Sequence, residues 1–229
     1  MVIVNDNSSA FDNGKLIITL DGDYESLFTI GFPLFVAQGV KATFYSWTDN
    51  IGAGGSYTWA NMATMVAANM DMQCHGKSHT RETLLTALQL DAEIQAVDAA
   101  FVANGLAVPD HHAYPYGSQN ATVIGVVDDY RLSGRTYSPN PIDTLYSDVN
   151  KYTMQSIGID LLDEDGINAI KYMMSAAQTL HGAIILTAHG FDEAPIISIT
   201  SAQMNELIDY GQSIGMDIIT IDELYALLD

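Results

Sequence analysis

The sequence predicts an α/β protein built on a mainly parallel sheet, and two observations support this fold class. Apolar stretches of strand length alternate with longer segments of helical period, which is the pattern of repeated strand–helix units. The chain has 229 residues, of which 48% are hydrophobic, so it can bury one sizeable core. No internal repeat or low-complexity segment divides the sequence. We therefore expect a single domain over residues 1–229.

Seven segments are predicted to be strands, because each is a short, largely apolar run between turn-forming residues. In chain order they are residues 15–20, 41–45, 70–74, 111–114, 131–135, 184–187 and 217–220. The segment 138–151 is rich in Pro, Asn, Asp and Ser, so we expect a long loop over one end of the sheet.

Three helices are predicted from apolar residues that recur every three or four positions. Residues 80–103 form the longest, with a predicted buried face of Leu84, Ala87, Leu88, Ile94, Val97 and Phe101. Residues 167–180 form the second, with a predicted buried face of Ile167, Ile170, Met174 and Ala177. The third begins at Thr200, because Thr200 and Gln203 have capping-box spacing, and Gly215 marks its end. Its buried face is predicted to contain Met204, Leu207 and Ile208.

The charge balance argues against two classes of partner. Against 8 Lys and Arg stand 28 Asp and Glu, a formal charge of −20, which would repel nucleic acid and anionic membranes. No apolar run approaches the roughly 20 residues of a membrane-spanning helix. Residues 1–11 lack the basic start and apolar stretch of a signal peptide, so either the product is not secreted by that route or its leader was trimmed.

Polar side chains follow four of the predicted strands, at the ends where parallel α/β proteins collect their chemistry. Asp21 and Asp23 follow the first strand, and His75, with His79 just after it, follows the third. The fourth strand runs into residues 114–117, and the sixth ends near His189. We expect these side chains to lie close together.

The two histidines have a spacing that suits one metal ion. If residues 75–79 are helical, both imidazoles lie on one face and can bind the same cation. Gly76 stands where the His-Glu-x-x-His motif has its glutamate, so a metallopeptidase of that type is excluded. Asp21 and Asp23 could supply a charged ligand and a separate base for the attacking water. The alternatives remain that the histidines cap or pack at a helix start and that Asp-Gly-Asp is a turn and helix cap.

Three other sites have competing interpretations. His189 could protonate a leaving group, or it could be a core histidine satisfied by one hydrogen bond. Cys74 is the only cysteine, so no internal disulfide can form, and we expect its thiol to point into the core. His111 and His112 could equally be surface residues, and no role is assigned to them.

The order of these motifs resembles the polysaccharide deacetylases, carbohydrate esterase family four, over nearly the whole chain. Residues 19–26 (Thr-Leu-Asp-Gly-Asp-Tyr-Glu-Ser) are similar to the first motif of the family, usually Thr-Phe-Asp-Asp-Gly. Residues 75–79 resemble the second, His-x-x-x-His, and residues 113–117 (Ala-Tyr-Pro-Tyr-Gly) the third, commonly Arg-x-Pro-Tyr-Gly. Residues 186–189 (Leu-Thr-Ala-His) resemble the last, Leu-x-x-His.

The resemblance implies a distorted (β/α)7 barrel and metal-dependent removal of acetyl groups from a polysaccharide or oligosaccharide, usually one containing N-acetylglucosamine and sometimes acetylated xylan. It implies that Asp21 is the general base, that His75 and His79 bind a divalent ion, expected to be zinc, and that His189 is the general acid. The backbone N–H of Tyr116 would help to hold the oxyanion. The residues expected to contact the substrate are Tyr114, Pro115, Tyr116 and Trp47. Members of the family generally act on extracellular polymers.

Three departures from the family pattern affect the predicted site. Gly22 stands where the family usually has its metal-binding aspartate, so Asp23 is assigned as the third ligand. Ala113 replaces the arginine that usually pairs with the base, and Arg135 or Arg131 could substitute for it.

The third departure is the Asp-Trp motif of the family, which cannot be placed because the only tryptophans are Trp47 and Trp59. The residue that orients His189 is therefore not identified. A glycan-binding barrel without activity and an amidohydrolase acting on a small amide remain alternatives, and the oligomeric state is open.

Overall fold

The computed structural model describes residues 11–138, 150–192 and 197–228. Within them the strands are β1 Lys15–Asp21, β2 Thr43–Ser46, β3 Asp71–Cys74, β4 His111–Ala113, β5 Ser133–Ser138, β6 Met154–Gly158, β7 Ala183–Ala188 and β8 Asp217–Ile219. The α-helices are α1 Phe32–Gln38, α2 Trp59–Ala67, α3 Ala87–Ala103, α4 Ala121–Asp128, α5 Glu164–Thr179, α6 Ser201–Ser213 and α7 Ile221–Leu228. None of these helices is long and apolar enough to cross a lipid bilayer.

Seven parallel strands close into a barrel with helices around it, which confirms the predicted (β/α)7 architecture. The strands follow one another from β2 to β7, and β1 lies between β7 and β2. The first half of β1 pairs with β8, from Lys15 opposite Asp217 to Ile17 opposite Ile219. The second half pairs with β2, from Thr19 opposite Thr43 to Asp21 opposite Tyr45. The barrel therefore closes directly between β1 and β2 only toward the carboxyl ends of the strands.

The predicted set of strands contained one omission. β6 was not predicted, because Gln155 and Ser156 interrupt its apolar pattern. Ser156 is buried, and its hydroxyl accepts a hydrogen bond from Arg135, so the polar residue belongs to the barrel interior. β8 was predicted correctly, but it flanks β1 and is not one of the seven strands of the ring. Most of the predicted loop, residues 139–149, lies outside the described residues.

The prediction that a helix begins at residue 80 is wrong. α3 begins at Ala87, after Thr86, whose side chain forms a capping box with Gln89. Because the helix starts later, Leu84 and Leu88 are 75% and 78% exposed, and Ala87 is exposed as well. The rest of the predicted face is confirmed, since Ile94, Val97 and Phe101 are buried.

The faces predicted for the other two helices are confirmed. The buried residues of α5 include Ile167, Ile170, Met174 and Ala177. Thr200 caps α6 through the expected capping box with Gln203. Met204, Leu207 and Ile208 are buried, as expected for a helix that covers the outside of a barrel.

Apolar side chains form a large core between the sheet and the helices and a smaller core inside the barrel. Cys74 is buried in the outer core, as expected. Ile17, Tyr45 and Ile185 fill the interior, together with Ile221 of α7. The suggestion that His111 and His112 could be surface residues is wrong, because both are fully buried in β4.

Candidate active site

Asp21, the last residue of β1, is held by a guanidinium from a different strand of the barrel. Nη2 of Arg135 donates to Oδ1 and Oδ2 of Asp21 at 2.6 and 2.5 Å. Arg135 lies on β5 directly beside Ala113 of β4, the position where the related motif has arginine. Arg131 instead pairs with Asp98, with Nη2 2.5 Å from Oδ1. Of the two arginines that the sequence analysis named as possible partners of the base, Arg135 is therefore the one that pairs with Asp21.

The environment of Asp21 favours its charged form. Burial would raise the pKa of Asp21, but Arg135, His75 and His189 together outweigh it and hold the pKa below its ordinary value. Nη1 of Arg135 also donates to the hydroxyl groups of Ser156 and Thr187, at 2.6 and 3.3 Å. The guanidinium is thereby fixed by three neighbouring strands.

Gly22 turns the chain so that a second carboxylate enters the site at Asp23. The φ angle of Gly22 is +106°, a conformation that residues with a Cβ rarely adopt. An aspartate would be strained in this conformation, and the second carboxylate of the segment belongs to the next residue, Asp23. Asp23 is buried, and its Oδ2 accepts a hydrogen bond from the N–H of Trp47 at 3.3 Å. Its Oδ1 is buried without a hydrogen-bond partner, and burial raises the pKa of Asp23 to about 8.

His75 and His79 lie together, but not on a helix. Their ring centroids are 4.9 Å apart, and the segment is a turn in which Gly76 and His79 have φ angles of +78° and +55°. Nδ1 of His75 lies 2.8 Å from the carbonyl oxygen of Ala113. A carbonyl can only accept, so this nitrogen carries the proton and Nε2 keeps its lone pair. Burial lowers the pKa of His75 to about 3, and burial also lowers the pKa of His79.

Contacts on two sides anchor this turn to the surrounding structure. Lys77 Nζ lies 2.8 Å from Oδ2 of Asp49, and the N–H of Asp49 donates to the carbonyl oxygen of Lys77 at 3.0 Å. On the other side, the hydroxyl of Ser78 donates to Oε1 of Glu93 on α3 at 2.7 Å. The turn that carries the two histidines is therefore held between the segment after β2 and α3.

His189 follows β7 and is oriented by Asp160, a residue that the sequence analysis did not identify. Nδ1 of His189 lies 2.7 Å from Oδ2 of Asp160, and the N–H of His189 donates to Oδ1 at 3.0 Å. Burial would lower the pKa of His189, but Asp160 and the nearby Asp21 outweigh it and raise the pKa. Asp160 lies just past the end of β6, so recognising that strand would have revealed it.

Tyr137, at the end of β5, was also not identified from the sequence. Its phenol packs against Gly158, where an added Cβ would lie 2.5 Å from the tyrosine Oη. Partial burial and the carboxylates of Asp160 and Asp21 raise the pKa of Tyr137. The phenol of Tyr137 therefore lies near Asp21, the predicted base, and near Asp160, which orients His189.

The residues proposed to contact substrate differ in how far they reach the surface. Tyr114 is buried and its hydroxyl donates to the carbonyl oxygen of Tyr152 at 3.0 Å, and Pro115 is buried as well. Tyr116, with a φ angle of +61°, is 56% exposed. The rings of Trp47 and Tyr116 have their centroids 4.9 and 4.7 Å from that of His79. Tyr116 and Trp47 therefore border the histidine turn, and a role of all four in substrate binding stays a prediction.

The predicted ligands differ in how well they fit a divalent ion. Among the described residues, no three or more His, Cys, Asp or Glu side chains are gathered closely enough to hold a metal. The chemistry of the individual donors nevertheless fits a cation. His75 is neutral with a free Nε2, and Asp23 has a buried oxygen with no hydrogen-bond donor. A buried carboxylate that lacks a counter-charge is costly, and a bound cation would remove that cost.

Comparisons with known proteins identify the family and the fold of the chain. A family model described as polysaccharide deacetylase matches residues 9–134, more than half of the chain. The chain is similar to chitin deacetylase from the fungal pathogen Colletotrichum lindemuthianum, with a TM-score of 0.65 and 18% identity, over 92% of this chain and 87% of that one. No curated protein sequence matches.

Two further solved structures are similar. An acetyl xylan esterase from Clostridium thermocellum, in complex with a cobalt ion, has a TM-score of 0.63 and 19% identity over 93% of this chain and 91% of that one. A family four pseudoenzyme from Bacillus anthracis has a TM-score of 0.62 and 15% identity over 93% of this chain and 66% of that one. At these identities, structural similarity establishes the fold alone.

Proposed function

Since the chain belongs to the polysaccharide deacetylase family, we propose that it is a metal-dependent hydrolase that removes acetyl groups from a carbohydrate polymer. The observation that carries the proposal is the placement of Asp21, held by Arg135, and His189, held by Asp160, at the ends of the paired strands β1 and β7. The pKa of Asp21 is lowered and that of His189 is raised, and each group contributes to the shift of the other. Two titratable groups whose pKa values are driven apart in one site are suited to serve as base and acid.

Each residue has a distinct role in this proposal. Asp21, ionised and fixed by Arg135, accepts a proton from the attacking water. The backbone N–H of Tyr116 donates to the oxyanion that forms from the acetyl carbonyl. His189, held by Asp160, donates a proton to the departing group. Asp23, His75 and His79 would hold a divalent ion, expected to be zinc, which supplies Lewis-acid polarisation of the acetyl oxygen.

The raised pKa of His189 favours acetamides over acetate esters. An amine leaves only after its nitrogen has been protonated, whereas an alcohol is a better leaving group and depends less on an acid. Burial would lower the pKa, but Asp160 and Asp21 outweigh it and keep the imidazolium populated at higher pH. Together with the family match, this leads us to propose a glycan that contains N-acetylglucosamine as the substrate.

Acetate release tests the function. Purified protein loaded with zinc is incubated with chitin oligomers, poly-N-acetylglucosamine, peptidoglycan and acetyl-xylan, and acetate is quantified. We expect release from at least one N-acetylated glycan, loss of release with a chelator, and recovery with zinc. Asp21→Asn, which removes the base with little change of shape, is the matched control and should release none. Release that is equal in the wild type and this variant would contradict the assignment of the base.

A second candidate is a barrel that binds glycan without cleaving it. It is favoured by the absence, among the described residues, of a gathered group of three metal-binding side chains. This candidate predicts binding of acetylated glycan without acetate from any substrate. An amidohydrolase acting on small amides predicts instead turnover of a monomeric acetamide and no acetate from the polymers.

A further inference from the structure

A buried set of polar side chains, Cys74, His112 and Glu82, lies beneath the histidine turn and has no part in the proposed reaction. Nδ1 of His112 lies 3.2 Å from Sγ of Cys74. Nε2 of His112 lies 2.9 and 3.1 Å from the two carboxylate oxygens of Glu82. All three side chains are buried, so they cannot touch a substrate.

The protonation of His112 shows how the network is connected. Burial would lower the pKa of His112, but Glu82 and Cys74 outweigh it and raise the pKa to about 10. Both ring nitrogens then carry protons, so Nε2–H donates to the carboxylate and Nδ1–H donates to the sulfur. A buried ion pair of this kind is weak evidence for stability, because an apolar pair of similar size can stabilise a fold as well.

The network touches the segment that joins the two predicted metal ligands. The N–H of Gly76, the residue after His75, donates to Sγ of Cys74 at 3.3 Å. A Cβ added at Gly76 would lie 3.5 Å from Oε1 of Glu82, so the carboxylate lies on the side of the turn that this Cβ would face. Gly76 has a φ angle of +78°, and this conformation starts the reversal that brings His79 back beside His75.

We infer that Cys74, His112 and Glu82 are positioning residues that fix the turn at Gly76 and thereby set the separation of His75 and His79 for a metal ion. The inference rests on the proposed function, because it assumes that these histidines bind the ion. Outer hydrogen bonds commonly orient metal ligands, and their removal typically weakens metal affinity about 10–100-fold.

Zinc affinity of three variants tests the inference. Cys74→Ala removes the acceptor of the Gly76 N–H and should weaken zinc binding, measured by competition with a chromophoric chelator, at least about tenfold. Cys74→Ser keeps an acceptor and should recover most of the affinity. Met72→Ala is the matched control, because Met72 lies two residues earlier on β3 and is buried in the same core as Cys74. It should lower the unfolding midpoint without changing zinc affinity.

The comparison with serine also separates positioning from direct ligation. Serine accepts hydrogen bonds but is not among the usual zinc ligands, so recovery by Cys74→Ser supports the hydrogen-bond role. The inference is overturned if Cys74→Ala binds zinc as the wild type does, or if Cys74→Ser fails to recover binding.

Amide exchange at Gly76 in the metal-free protein distinguishes a failure of this inference from a failure of the proposed function. Exchange should accelerate in Cys74→Ala and stay unchanged in Met72→Ala. If the wild type binds no zinc, the proposed function fails. Unchanged exchange in Cys74→Ala overturns the positioning role by itself.

Discussion

Replacing Arg135 by Met should destabilise the protein strongly and in a pH-dependent way. The side chains of Arg135 and Asp21 are only 2% and 7% exposed, so water cannot take over the hydrogen bonds that the guanidinium makes. The substitution keeps much of the side-chain volume but removes the charge. It leaves the carboxylate of Asp21 buried without a counter-charge.

The expected loss can be worked out from this geometry. Two unit charges about 4 Å apart attract by about 4 kcal/mol at an effective dielectric constant of about 20. Removing one partner of a buried ion pair typically costs about 3–5 kcal/mol, a range that includes this Coulomb energy. Typical domains have only about 5–15 kcal/mol of stability in total, so the variant should be folded but clearly weakened.

The sign of the pH dependence follows from the pKa of Asp21. In the wild type the pKa of Asp21 lies below its ordinary value, so its ionisation stabilises the fold above the unfolded pKa, and this contribution is lost as pH falls. Without Arg135, burial is the largest influence and would raise the pKa of Asp21. Protonation then relieves the buried charge, so the deficit relative to the wild type should shrink as the solution becomes acidic.

Urea unfolding measures this effect at neutral pH and at about pH 4, near the ordinary pKa of aspartate. The same substitution in an Asp21→Asn background should cost much less, which gives the coupling free energy between the two residues. A loss of stability that is equal at both pH values and in both backgrounds would refute the reasoning.

Three further predictions concern single residues of the site and its support. Asp160→Asn removes a carboxylate that raises the pKa of His189. The fall of kcat/KM for acetate release on the alkaline side of the pH profile should therefore move to lower pH. If this fall stays at the same pH, His189 is not the acid. Gly134→Ala would place a Cβ 2.3 Å from the hydroxyl of Tyr114. Urea unfolding should therefore show that the free energy of unfolding falls by about 1–3 kcal/mol. A free energy of unfolding equal to that of the wild type would contradict the buried position of the Tyr114 ring. Gly22→Ala should also cost about 1–3 kcal/mol, because its φ angle of +106° strains any residue with a Cβ, and stability equal to the wild type would show that the turn can relax.

The sequence predicted the site residues that directly follow clearly apolar strands. Asp21 and His189 come at the ends of β1 and β7, in which every residue is buried. Such strands have continuous apolar patterns, so their ends can be placed to within a residue or two. The resemblance of the motif order to the polysaccharide deacetylases then implied the barrel.

The parts of the site that were not predicted depend on polar residues inside the barrel. Asp160 was missed because β6 places Ser156 toward Arg135 and so lacks an alternating apolar pattern. The choice between Arg135 and Arg131 depends on register, since only Arg135 lies beside Ala113. Similarly, His112 was unassigned because its partners, Cys74 and Glu82, are distant in sequence. Contacts between neighbouring strands determine these positions, and a single sequence does not display them.

The late start of α3 has a related cause. Residues 80–85 have apolar positions compatible with a helix, yet Glu82 is buried against His112 in the structure. Thr86 and Gln89 then cap the helix. A tertiary contact at Glu82 and a local capping signal at Thr86 together outweigh the apolar spacing. The capping signal was present in the sequence, with the same spacing that correctly located the start of α6.

A metal ion held by Asp23, His75 and His79 is central to the proposed reaction, and zinc titration of two variants tests it most directly. Zinc binding to the wild type, Asp23→Ala and Asp21→Asn is measured by calorimetry, with the metal content of the purified proteins measured in parallel. We predict that Asp23→Ala loses the zinc, whereas Asp21→Asn retains it and releases no acetate. Full zinc occupancy in Asp23→Ala would contradict the assignment of the displaced carboxylate as the third ligand.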